Sequence, residues 1–156
     1  MSESALHIDF ATPADVDTLA RLENELFYTD RCSRRSFRAL VVKKRVVVVR
    51  ISKAAICGYA ILLGRSNSKK MRLYSFAIVA ANRRQGLAGA LLAKLEDLAE
   101  AAGCHSLTLE VGDGNHAAIA FYSKHGFVQY GFRLHYYEDG GHAILMKKTL
   151  SPQTAT

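Results

Sequence analysis

Between Met71 and Val111 the hydrophobic pattern changes period twice, and this switch limits the possible folds more than any other stretch. Met71 to Val79 reads as a strand. Arg84 to Ala102 reads as a helix, with Leu87, Leu91, Leu95, Leu98 and Ala102 along one face and Gly103 as its stop. His105 to Val111 reads as a strand again. A strand, a long helix and a second strand make a unit whose two strands lie parallel, joined by a right-handed crossover.

The flanking segments predict an antiparallel remainder. Leu6 to Phe10 suits a first strand. Thr12 then caps a helix, with Pro13 at its first position, Asp15 in its first turn, and Val16, Leu19, Leu22, Leu26 and Phe27 at helical spacing. Ser33 caps a second helix carrying Phe37, Leu40 and Val41, with Lys43 and Lys44 at its end. Arg45 to Ile51 and Ala54 to Gly64 are strands joined by a tight turn at Ser52-Lys53. Asn115 to His125 is a helix stopped by Gly126. Phe127 to Leu134 and His142 to Leu150 close the chain as an antiparallel pair around Glu138-Asp139-Gly140-Gly141. The expected fold class is mixed α/β, a central sheet of about seven strands with four helices. A length of 156 residues suits one core, so residues 1–150 are expected to form a single domain and residues 151–156 a disordered tail.

Composition excludes several classes. No apolar run approaches the ~18–20 residues that span a bilayer, so no membrane partner is expected. The opening MSESALHIDF lacks the basic and apolar regions of a secretory signal, so a cytoplasmic location is expected. Cys32, Cys57 and Cys104 form no CxxC pair and the six histidines no cluster, so no metal site is expected. A net charge of +7 favours anionic partners: a phosphorylated cofactor, an acidic substrate or nucleic acid. The absence of RNP, KH and helix-turn-helix signatures argues against nucleic acid.

Two constellations carry chemistry. The first is Arg83-Arg84-Gln85-Gly86-Leu87-Ala88-Gly89, between a strand and the long helix. Gly86 and Gly89 let a ligand approach the backbone. The first helical turn offers unpaired N–H groups and the positive end of the helix dipole, which suit phosphate. The same residues also fit a helix start with small residues for packing. The second is Leu107-Thr108-Leu109-Glu110-Val111, followed by Asn115 and Tyr122. Alternation puts Glu110 opposite the apolar face, at the carboxyl end of a central strand, where open α/β sheets bind ligands. Glu110 also fits a solvated strand-end acid, Asn115 an N-cap, and Tyr122 an aromatic at the core edge.

The sequence resembles the GNAT superfamily of acetyl-CoA-dependent N-acetyltransferases, and within it the bacterial ribosomal-protein alanine N-acetyltransferases. The resemblance rests on IDFATPAD, RRQGLAGALL, LEVGDGNHAAIAFYSKHGF and the closing Tyr136-Tyr137-Glu138-Asp139-Gly140, and spans roughly Leu6 to Leu150. It implies that strands four and five lie parallel and splay around acetyl-CoA. Backbone groups from Arg83 through Arg84, Gln85, Gly86, Leu87 and Ala88 to Gly89 would hold the pyrophosphate. Phe76, Ala77 and Ile78 would pair with the pantetheine arm and polarise the thioester, and Asn115 would hydrogen-bond the pantetheine. Glu110 matches the general base of the alanine N-acetyltransferase branch, Tyr122 the family's general acid, and Tyr136 and Tyr137 an acceptor-lining pair of that branch. The implied acceptor is a peptide or protein N-terminal α-amine, with a lysine or small amine as the alternative, and the implied state is a monomer or homodimer. The sequence departs from the family at Ala80 and Ala81, where an acid or histidine and then proline is frequent. A second departure is the basic TDRCSRRSFR, where this branch carries a tryptophan-containing segment.

Overall fold

A computed structural model of the chain describes residues 6–27, 31–43, 46–51, 55–65, 67–83 and 86–150. The predicted turn at Ser52-Lys53, Lys44, Arg45, Ala54, Arg84, Gln85 and the tail 151–156 lie outside them. Among the described residues seven strands follow the order β1-β2-β3-β4-β5-β7-β6 in one sheet. They are β1 (Leu6–Phe10), β2 (Val46–Ile51), β3 (Ile56–Gly64), β4 (Lys70–Ile78), β5 (Ser106–Gly112), β6 (Val128–Arg133) and β7 (Ala143–Thr149). The described residues also form four α-helices, α1 (Val16–Leu26), α2 (Arg34–Val42), α3 (Leu87–Ala101) and α4 (His116–Lys124). The expected mixed α/β class with four helices holds. β4 and β5 pair in parallel, Lys70–Leu73 beside Ser106–Leu109, while β1–β2, β2–β3, β5–β7 and β6–β7 are antiparallel. Past Leu73 and Leu109 each strand of the parallel pair runs on, β4 to Ile78 and β5 to Gly112.

Several predicted boundaries shift for identifiable reasons. Thr12-Pro13 opens a 3-10 turn, Pro13–Asp15, before α1, and the Asp15 carboxylate accepts the Thr12 N–H at 2.8 Å. Phe27 falls outside α1 because its backbone is extended. α3 starts at Leu87, not Arg84, because Gly86 has φ +75°, outside the helical region. At its other end the Cys104 N–H reaches the Ala99 carbonyl and the Gly103 N–H that of Glu100, a Schellman closure with Gly103 at φ +82°. Ala102 is therefore beyond the helix and exposed, and the buried stripe ends on Ala99 with Leu98 only half-buried.

The contacts divide the chain into two compact units, Met1–Leu62 with Ser75–Leu95, and Leu63–Tyr74 with Glu96–Thr156. The first packs Leu19 and Leu22 of α1, Phe37 and Val41 of α2, Tyr59 and Ile61 of β3, and Leu91, Leu92 and Leu95 of α3. Inside it sits a sealed acid. Glu23 is 2% exposed. Its Oε1 accepts the Tyr59 hydroxyl at 2.5 Å and the Ser75 hydroxyl at 3.4 Å, and its Oε2 accepts the Cys32 N–H at 2.6 Å. Burial, with Glu23 adding, pushes the Tyr59 hydroxyl above the phenol range and the Cys32 thiol up to about 12. The second unit packs Leu107, Leu109 and Val111 of β5 with Met146 of β7, Phe127 and Tyr122.

Candidate active site

The candidate cofactor residues of the first unit are backbone groups. The Val79 N–H donates to the Cys57 carbonyl on β3 at 2.8 Å. Alternation then turns the main-chain groups of Ala77 toward β3, and those of Phe76 and Ile78 toward the opposite edge. Gly58 lets the strands meet, since a Cβ there would lie 2.6 Å from Ile78 Cδ1 and 2.9 Å from the Ala77 oxygen. The Ile78 carbonyl accepts Arg83 Nε at 3.1 Å, which folds Arg83 back onto the end of β4. At α3 the first intrahelical bond is Ala90 N–H to Gly86 O, 3.2 Å. The N–H groups of Leu87, Ala88 and Gly89 precede it, as the orphan donors of a helix start. They fit an anionic diphosphate, and the exposed Gly86 has open space where a Cβ would be.

The candidate chemistry of the second unit is made of side chains. Parallel pairing sets Arg72 opposite Thr108, so Arg72 shares a sheet face with Thr108 and, two residues on, Glu110. Arg72 grips the Glu110 carboxylate at both oxygens, Nε to Oε2 at 3.1 Å and Nη2 to Oε1 at 2.8 Å. Nη2 also donates to the Tyr136 hydroxyl at 2.9 Å, which itself donates to Glu110 Oε1 at 3.1 Å. The guanidinium carbon lies 5.4 Å from the centre of the Tyr74 ring. The Glu110 side chain is 17% exposed, partly open to an incoming group. Burial, then the negative Glu110, pushes the Tyr136 hydroxyl upward, and Arg72 opposes this.

Tyr122 is buried on α4, with its ring packed edge-on against Phe121 and Phe127. Burial, with Tyr137 adding, pushes its hydroxyl well above the phenol range, so it keeps its proton at neutral pH. Asn115 is exposed and caps α4, its side-chain oxygen accepting the Ala118 N–H at 3.2 Å. Tyr136 and Tyr137 meet edge to face, ring centres 5.0 Å apart. Hydrogen bonding thus joins Glu110 and Tyr136. Arg72 is absent from the sequence-based candidates. Its signal, a basic residue alternating with Met71 and Leu73, gains meaning only once the register with β5 is known. Among the described residues no group of three or more His, Cys, Asp or Glu could hold a metal ion. Among them, too, no helix is long and apolar enough to cross a membrane.

The chain matches the model of the Acetyltransferase (GNAT) family over residues 14–127. It is 34% identical over 142 residues to an uncharacterized protein of Mycobacterium leprae, covering 88% of this chain and 39% of that protein. It is 42% identical over 82 residues to the ribosomal protein bS18-alanine N-acetyltransferase of Escherichia coli K12, covering 51% of this chain and 55% of that enzyme. In sequence the chain thus matches about half the length, or less, of these curated relatives. The crystal structure of the ribosomal-protein-S18-alanine N-acetyltransferase from Escherichia coli is similar with TM-score 0.80 at 27% identity, covering 97% of each chain.

Proposed function

The chain belongs to the GNAT acetyltransferase family, and from that premise we propose that it transfers acetyl from acetyl-CoA to the N-terminal α-amine of a peptide or protein in the cytoplasm. The family uses acetyl-CoA, and the Escherichia coli relative is named as a ribosomal protein bS18-alanine N-acetyltransferase. The observation that carries the reading is Glu110, a partly open carboxylate fixed by Arg72 and Tyr136.

In this reading the pyrophosphate rests on the N–H groups from Arg83 to Gly89, Arg84 and Gln85 included. Phe76 and Ile78 hold the pantetheine by its amides and polarise the thioester carbonyl, Ala77 between them turns its main-chain groups to β3 instead, and Asn115 adds a hydrogen bond. The amine nitrogen attacks the thioester carbon, forming C–N, and the C–S bond then breaks. The nitrogen's proton passes to Glu110, and Tyr122 gives its proton to the leaving thiolate. A fixed N–H donor stabilises the oxyanion between the two steps. Tyr136 and Tyr137 line the acceptor's approach. A single carboxylate suits an α-amine. Freeing one of pKa near 8 at neutral pH costs about 1 kcal/mol, against about 4.6 kcal/mol for lysine. In the basic segment Arg34 pairs with Asp17 at 3.0 Å, and Arg31 Nε donates to the Phe27 carbonyl.

Mass spectrometry after incubation with acetyl-CoA and a peptide carrying an N-terminal alanine and an internal lysine tests the reading. Acetylation of the α-amine is expected. Acetyl on the lysine alone, or no transfer to either, overturns the peptide α-amine assignment.

A further inference from the structure

We propose that Arg72 is the positioning residue of the acceptor site, locking the Glu110 carboxylate and the Tyr136 hydroxyl into one arrangement. The inference rests on the reading of Glu110 as the base and adds a residue that this reading does not contain. The geometry is a closed triangle. Arg72 presents two donors to the two oxygens of Glu110, Nε at 3.1 Å and Nη2 at 2.8 Å. A guanidinium fork of this kind fixes the carboxylate plane as well as its distance. The Nη2 that holds Oε1 also donates to the Tyr136 oxygen at 2.9 Å, which leaves the phenolic hydrogen to point at Oε1, 3.1 Å away.

Arg72 is itself braced. Its Cα sits in the parallel ladder opposite Thr108, and its guanidinium carbon lies 5.4 Å from the Tyr74 ring centre, a cation–π distance. Its side chain is 40% exposed while that of Glu110 is 17% exposed, so Arg72 is the more solvent-facing member of a pair that stays partly open. The pair is close to neutral as a whole. An acceptor ammonium therefore meets an oriented acid with little net charge, and Arg72 acts on turnover through geometry more than on acceptor affinity.

Arg72→Met keeps the length of the stem and removes the fork and the charge. With acetyl-CoA and the N-terminal alanine peptide, kcat is expected to fall about 10- to 100-fold. The KM for acetyl-CoA should not change, and the peptide KM should be unchanged or lower, because an unpaired Glu110 attracts the ammonium more strongly. Arg72→Lys restores the charge without the fork and should recover only a small part of the loss. A kcat within about twofold of the parent in Arg72→Met overturns the proposal, as does a raised peptide KM at unchanged kcat, which would make Arg72 an acceptor contact. Crystal structures of the parent and Arg72→Met give a readout independent of activity. Glu110 is expected to rotate and its bond from Tyr136 to break. The same carboxylate and hydroxyl positions in both structures overturn the proposal even if the parent acetylates no peptide, an outcome that would separately overturn the function proposed above.

Discussion

The glutamate–tyrosine hydrogen bonds Glu23–Tyr59 and Glu110–Tyr136, one in each compact unit, are built for different ends. In the first, Glu23 is 2% exposed, Tyr59 is fully buried, and both carboxylate oxygens are taken by neutral donors, including the Cys32 N–H. In the second, Glu110 bonds Tyr136 but takes its other donors from Arg72, and all three side chains keep contact with solvent. The pairs look alike as chemistry on paper. Access and the charge of the third partner separate them. A sealed acid can only organise its neighbours, here joining α1, β3 and the segment leading into α2. An open acid backed by a cation can receive a proton from something that arrives.

Four measurements press on this contrast. The largest effect is expected from Glu110→Gln, whose amide cannot take a proton. On the proposed mechanism kcat falls about 100- to 10,000-fold with little change in acetyl-CoA KM or thermal stability. A normal turnover would leave both glutamates structural. Tyr122→Phe should lower kcat about 10- to 1000-fold by removing the proposed proton donor. Turnover equal to the parent would remove Tyr122 from the mechanism. Glu23→Ala should do the reverse of Glu110→Gln. The buried Tyr59 hydroxyl and Cys32 N–H lose their acceptor, which together with the cavity costs about 2–4 kcal/mol in urea unfolding. The turnover of the folded fraction should match the parent. Lost turnover at unchanged stability would erase the distinction between the two acids.

The smallest effect concerns pH. Cys32 ionises near its ordinary value of 9.0 when unfolded but only at about 12 when folded, and Tyr59 is shifted upward as well. The folded state therefore holds protons that the unfolded state releases. The stability this represents is present below the unfolded values and is lost as pH rises past them. Urea midpoints should decline above about pH 9. Tyr59→Phe should decline less steeply, since it keeps the ring and deletes one titrating group. A slope identical to the parent would show that the sealed hydroxyl does not carry this effect.

Much of the fold could be read in advance because its signals are local. The changes of period around α3, the caps at Thr12, Ser33 and Asn115, and the stops at Gly103 and Gly126 each depend on residues a few places apart. The misplaced start of α3 turned on one torsion, the positive φ of Gly86, which a glycine permits but does not dictate. Phe27 was assigned to a helix because its spacing fits, yet spacing does not reveal where the backbone leaves the helical region.

At the candidate site the division is sharper. Glu110 and the glycine-bearing stretch before α3 stand out as candidates by strand alternation and position, and Tyr122 by the family resemblance. Arg72 does not, because its meaning is a distance across two strands separated by 38 positions in the chain. Nothing local marks it apart from other basic residues. The same holds for Glu23, which reads as one more acid on an amphipathic helix until Tyr59, 36 positions away, closes over it. The sequence by itself determined the elements, their caps and the family, because those follow from near-neighbour sterics and from spacing along one chain. Only the tertiary structure decided which acid is sealed and which is open. Glu110 meets Arg72 through the register of two strands distant in sequence, and Glu23 meets Tyr59 through the packing of α1 on β3, and neither contact is encoded by near neighbours.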